Sequence, residues 1–187
     1  MSALCRGSTL ALLALLLSTA CAERAGKAQR RSDAVSSASA DMSGAPLFSS
    51  ETLKPALQAL RARADGKLLR LEIRPHELML QAEDPSNPGA VLELHYRDGE
   101  VQEPEHAQLR GKGDLADNVF ELKQVPLDAI PRLVGEAIRR VDAEHGQVEL
   151  VLVRRNLPES DDVRVRVYVK SPLKDGYLDA DQRGAPL

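Results

Sequence analysis

Residues Val163–Lys170 read Val-Arg-Val-Arg-Val-Tyr-Val-Lys. In an extended chain successive side chains point to opposite sides. The four valines therefore share one face, and Arg164, Arg166, Tyr168 and Lys170 share the other. This is the pattern of an antiparallel strand with one face on a core and one in water. Apolar runs with β-branched or alternating character predict further strands over Leu68–Arg74, Leu78–Glu83, Val91–Arg97, Val148–Arg155 and Tyr177–Asp181. Turn chemistry separates them, as in Asp84–Gly89 (DPSNPG) and at Asp98-Gly99. A different period governs Ile130, Leu133, Val134, Ala137, Ile138 and Val141, which recur at spacings of three and four. Arg132, Glu136, Arg139, Arg140 and Glu144 fall largely opposite, so this segment predicts a helix with one buried face. Leu53, Leu57, Leu60 and Ala64 predict another.

The two helices carry similar punctuation. Thr52 and Asp128 stand as capping residues, with Pro55 and Pro131 three positions on and Gly66 and Gly146 after the last turn. On these marks the second helix is about one turn longer than the first. Helix followed by three strands, twice, predicts an α+β fold of two similar helix-plus-antiparallel-sheet units. Residues 51–126, including a long connector, form the first unit, and residues 127–187 form the second. Within the connector, Val119, Phe120, Leu122 and Val125 predict a short strand or a segment packed over the core. The repeated pattern, with Arg97–Val101 (RDGEV) and Gly176–Gly184 (GYLDADQRG), resembles tandem PepSY-like modules, small α-β-β-β units of bacterial envelope proteins. That resemblance implies a binding or inhibitory module, often directed at peptidases, and supplies no catalytic residues. Beta-lactamase-inhibitor folds and small outer-membrane assembly lipoproteins share a similar layout.

The start of the chain sets an address. After Arg6, an uncharged Leu- and Ala-rich stretch runs from Gly7 to Ala20. It is shorter than the roughly 20 residues a membrane-spanning helix needs. A basic start, a short apolar run and small residues at its end describe a signal peptide over residues 1–20. Ser18-Thr19-Ala20-Cys21 resembles the lipobox of bacterial lipoproteins, which implies that Cys21 becomes the first mature residue and carries acyl chains. Ser18 stands where Leu is usual, so a plain signal-peptidase cut and secretion to the periplasm stay open. The chain has 2 cysteines, and Cys5 would leave with the signal peptide. Ala22 after the cysteine implies, by the same resemblance, an outer-membrane lipoprotein facing the periplasm. Residues 21–50, rich in Ala, Ser, Gly and basic residues, read as a lipidated cysteine with a disordered linker.

Charge and chemistry narrow the function. The formal net charge is −3, with 0 Trp, 2 Phe and 3 Tyr, and no block of one sign. A nucleic-acid binder carries a basic face with stacking aromatics, so that class is excluded. No HExxH, CxxC, GxSxG or GxxxxGK[ST] motif occurs, and the 4 histidines are scattered. Asp179–Gly184 starts like a calcium loop but places Arg183 at a ligand position, so it reads as a turn. Arg110–Asn118 lacks the strand-to-helix setting of a phosphate cradle. No metal and no cofactor are expected. The expectation is a non-enzymatic envelope lipoprotein that binds, or inhibits, an unidentified envelope protein or peptide and meets the membrane through its lipid anchor. A structural or assembly accessory of the outer membrane, and an enzyme with a site assembled from dispersed Asp, Glu and His, are the alternatives. Candidate contact residues are Arg164, Arg166, Tyr168 and Lys170 on one strand face, and Phe120 in the connector. A plain solvated sheet surface is the competing reading of that face.

Overall fold

A computed structural model describes residues 46–110 and 113–187. The expected signal peptide, Cys21 and most of the expected linker lie outside the described residues. The elements run α1 (Ser50–Arg61), β1 (Leu68–Ile73), β2 (Glu77–Glu83), β3 (Val91–Arg97), β4 (Glu100–Val101) and β5 (Glu105–His106). They continue with a one-turn α2 (Leu115–Asn118), α3 (Ile130–Val141), β6 (Gln147–Arg155), β7 (Val163–Lys170) and β8 (Gly176–Ala180). The fold is α+β. A single antiparallel sheet of 8 strands has the order β4-β3-β2-β1-β6-β7-β8, with β5 also pairing β3.

Local chemistry explains the chain reversals. Asp98 and Gly99 adopt φ of 55° and 84°, the left-handed pair that a tight β3–β4 hairpin requires. Gly66 and Gly146 are needed for space, because a Cβ would meet the Glu83 carbonyl oxygen at 2.3 Å and that of Asp142 at 2.4 Å respectively. Side chains at neighbouring register positions then sort by face. Leu71, Ile73, Leu80, Leu94, Val151, Val153, Val165, Val167 and Leu178 are all buried. They meet Leu53, Leu57 and Leu60 of α1 and Leu133 and Ala137 of α3 in one continuous core. α1 packs on β2 and β3, and α3 packs on β6, β7 and β8.

The helix starts differ from the sequence expectation. Ser49, not Thr52, caps α1, since its hydroxyl accepts the Thr52 N–H at 3.3 Å. The Thr52 hydroxyl instead donates to the Pro46 carbonyl at 2.9 Å. Asp128 does not cap α3. It lies in a 3-10 turn, Leu127–Ala129, squeezed between Pro126 and Pro131, and the cap position falls to Ala129. Both helices are 12 residues long, so the second is not a turn longer. Leu47, at the end of the stretch assigned to the linker, is buried and donates its N–H to Pro75 O at 2.8 Å. An apolar side chain with a core to enter orders the residues around it.

Candidate binding face

The residues that alternate with the core positions point away from α1 and α3. Register pairs carry one row straight across the sheet. His95 lies opposite Met79, Met79 opposite Glu72, Glu72 opposite Leu152, Leu152 opposite Arg166, and Arg166 opposite Asp179. A parallel row sets Glu93 opposite Gln81 and Gln81 opposite Arg70, and another sets Leu150 opposite Tyr168 and Tyr168 opposite Tyr177. This face is polar and rich in ion pairs, and its chemistry changes from one side to the other.

At the β2–β3 side, His95 is held between two carboxylates. Nδ1 lies 2.9 Å from Glu77 Oε1 and Nε2 lies 3.0 Å from Glu93 Oε1. Arg97 also reaches Glu77 at 2.5 Å, and Gln81 donates to Glu93 at 2.6 Å. Burial opposes the imidazolium, but the two carboxylate bonds outweigh it and raise the His95 pKa. At the centre, Glu72 is 8% exposed beneath Arg70 and Arg74, which both pair with it.

The β6–β8 side is arginine-rich. Arg166 forms a two-bond fork with Asp179, Nε to Oδ1 at 2.6 Å and Nη2 to Oδ2 at 2.8 Å. That bond raises the guanidinium pKa further and keeps Arg166 charged at any working pH. The Arg166 guanidinium also lies 4.2 Å from the Tyr177 ring centroid and 6.0 Å from that of Tyr168. Such stacking uses the negative face of the ring to hold the cation. Arg164 is 3.7 Å from Asp179, and Arg154 lies directly opposite Arg164.

The structure thus places Arg164, Arg166 and Tyr168 together on one face, as the alternation of β7 requires. Lys170 sits at the strand end, paired with Glu149 at 3.1 Å. Phe120 is elsewhere. Its backbone bonds both ways with Leu68 at 2.7 and 2.8 Å, and its side chain is 1% exposed, in the core. It packs the core and offers no surface, because pairing with β1 turns the ring inward. Arg154, Tyr177, Asp179 and Glu72 join the face without having been singled out in the sequence. Among the described residues no group of three His, Cys, Asp or Glu is placed to hold a metal, and no helix is long and apolar enough to cross a membrane. Comparison with protein-family models, with curated proteins and with solved structures finds no match to this chain.

Proposed function

We propose that this chain is a non-enzymatic lipoprotein of the bacterial envelope that binds a protein or peptide through the sheet face opposite α1 and α3. Acyl chains on Cys21 hold it at the outer membrane, facing the periplasm. The observation that carries this reading is the concentration of arginine and tyrosine on that face, at Arg154, Arg164, Arg166, Tyr168 and Tyr177. These residue types supply a large share of binding energy at protein interfaces. The His95–Glu77–Glu93 group has the residue types of acid–base catalysis. Each of its ring nitrogens is bonded to a carboxylate, which supports a structural role for the group as an ion-pair cluster. We further propose that the two halves are copies of one PepSY-like unit. The strand order, reflected about the β1–β6 seam with Leu71 opposite Val153 and Ile73 opposite Val151, supports it.

A photo-crosslinking residue at Tyr168 should give discrete protein adducts in intact cells, and one at Arg139, on the outer side of α3, should not. Equal adduct patterns from the two positions would remove the open face from the proposal. In the same cells Cys21→Ser should move the protein out of the membrane fraction. A variant processed and fractionated like the original would show that Cys21 carries no lipid.

A further inference from the structure

We propose that the corner of the open face formed by Arg154, Arg164 and Arg166 seats carboxylates of an acidic protein segment. This rests on the binding-module reading and adds the chemistry of the partner. Arg154 and Arg164 occupy directly opposed register positions on β6 and β7. Like charges directly opposite one another destabilise a strand pair. The fold offers little relief. Asp179 is engaged in the fork with Arg166, and Arg164 reaches the same carboxylate only at 3.7 Å. Among the described residues Arg154 has no carboxylate within 4.0 Å, although its side chain is exposed.

The three arginines line a small recess with Leu152, Arg155 and Asn156. Arg166 and Arg164 thus share the single carboxylate of Asp179 and Arg154 has none in reach, so an incoming anion completes the balance. Guanidinium forks match the two oxygens of a carboxylate, which gives direction as well as charge. Tyr177, 57% exposed, presents its ring beside the recess and provides apolar area for the rest of the segment.

A protein segment fits this face better than an anionic membrane does. The same face carries Glu72, Glu93, Glu149 and Asp179. A uniformly anionic surface would press against all of them, whereas a peptide places its few carboxylates at the arginine corner alone. Segments with both charge signs match a surface that also carries both.

The test uses the full chain carrying Cys21→Ser, so that no acyl chain contributes. The probe is a fluorescein-labelled peptide of Glu, Ser and Tyr, compared with the same peptide carrying Gln for Glu. The Glu peptide should bind more tightly than its Gln counterpart, and added salt should weaken it. Arg154→Gln and Arg164→Gln should each weaken the Glu peptide about tenfold. Neither should lower the melting midpoint, because each removes one of two opposed like charges. Arg139→Gln should bind like the parent. The proposal is overturned if the two peptides bind alike, or if Arg154→Gln binds the Glu peptide unchanged. Vesicles of phosphatidylglycerol and phosphatidylcholine form a further arm. If they compete the Glu peptide off the wild-type corner, the ligand is a lipid headgroup and the acidic-segment proposal falls. Tyr168 crosslinks that persist when the peptide result is negative would leave the open face as a binding surface and overturn only the acidic chemistry.

Discussion

His95 sits where its protonation state and those of two carboxylates control each other. Burial opposes its charging, yet the Glu93 and Glu77 bonds outweigh that and raise its pKa above the ordinary 6.5. Burial likewise opposes ionisation of Glu77, and the His95 and Arg97 bonds overcome it, so its pKa falls below 4.5. The Gln81 bond is the largest influence on Glu93, and its pKa also falls below 4.5. Arg97 on β3 and Arg70 on β1 are the other charges facing the group. The raised His95 pKa stabilises the fold below its unfolded value, and that stabilisation is lost as pH rises through the folded value. The depressed carboxylates stabilise it above 4.5, and theirs is lost as pH falls through the folded values. All three contributions coexist between 4.5 and 6.5. His95→Gln should therefore cost most in that window, on the order of half to one kcal/mol because the group is partly exposed. The cost should shrink at higher pH and again at low pH. Urea titrations of both proteins across the range decide it, and a pH-independent difference would mean that His95 binds its proton no more tightly in the fold than in the unfolded chain.

At the scale of elements, what the sequence made legible is what short-range pattern determines. β7 and β3 begin and end where alternation says they should, Val163–Lys170 and Val91–Arg97. The helix starts were less legible because several capping residues compete. Ser49, Ser50 and Thr52 all offer a hydroxyl, and Ser49 takes the cap while Leu47, two residues before it, is buried in the core, a tertiary contact that local pattern does not state. Asp128 reads as a cap until the two flanking prolines tighten the chain into a 3-10 turn. The open face of the sheet divides in the same way. Arg164, Arg166 and Tyr168 follow from the period of one strand. Arg154 and Asp179 join them only through the pairing of β6 and β8 with β7, and a local pattern states no partner. Phe120 shows the converse. A lone aromatic in a polar connector reads equally as contact or core, and a pairing with distant Leu68 decides for the core.

The whole molecule is joined at its narrowest place by β1 and β6, whose pairing runs only over Leu71–Ile73 against Val151–Val153. Backbone pairing that short does not by itself make two halves unfold together. The connector adds to it. Phe120 bonds to Leu68 of β1, while the Val119 carbonyl accepts Arg155 Nε of β6 at 2.8 Å. The core runs unbroken across the seam, from Leu53 and Leu71 to Val151 and Leu133. Separating the halves would expose apolar surface on both, so unfolding should be a single cooperative transition. Tyrosine makes this measurable. The chain has 3 Tyr and 0 Trp. Tyr96 lies on β3, and Tyr168 and Tyr177 on β7 and β8. Tyr96→Phe leaves fluorescence from the second half alone, and the Tyr168→Phe, Tyr177→Phe pair leaves it from the first. In urea, each protein's fluorescence midpoint should coincide with its own midpoint by circular dichroism. Phe120→Ala should then lower both halves together, by about 3–5 kcal/mol, as the loss of a buried aromatic does. Separate midpoints, or a Phe120→Ala effect confined to one half, would mean that the seam joins two independently folding units.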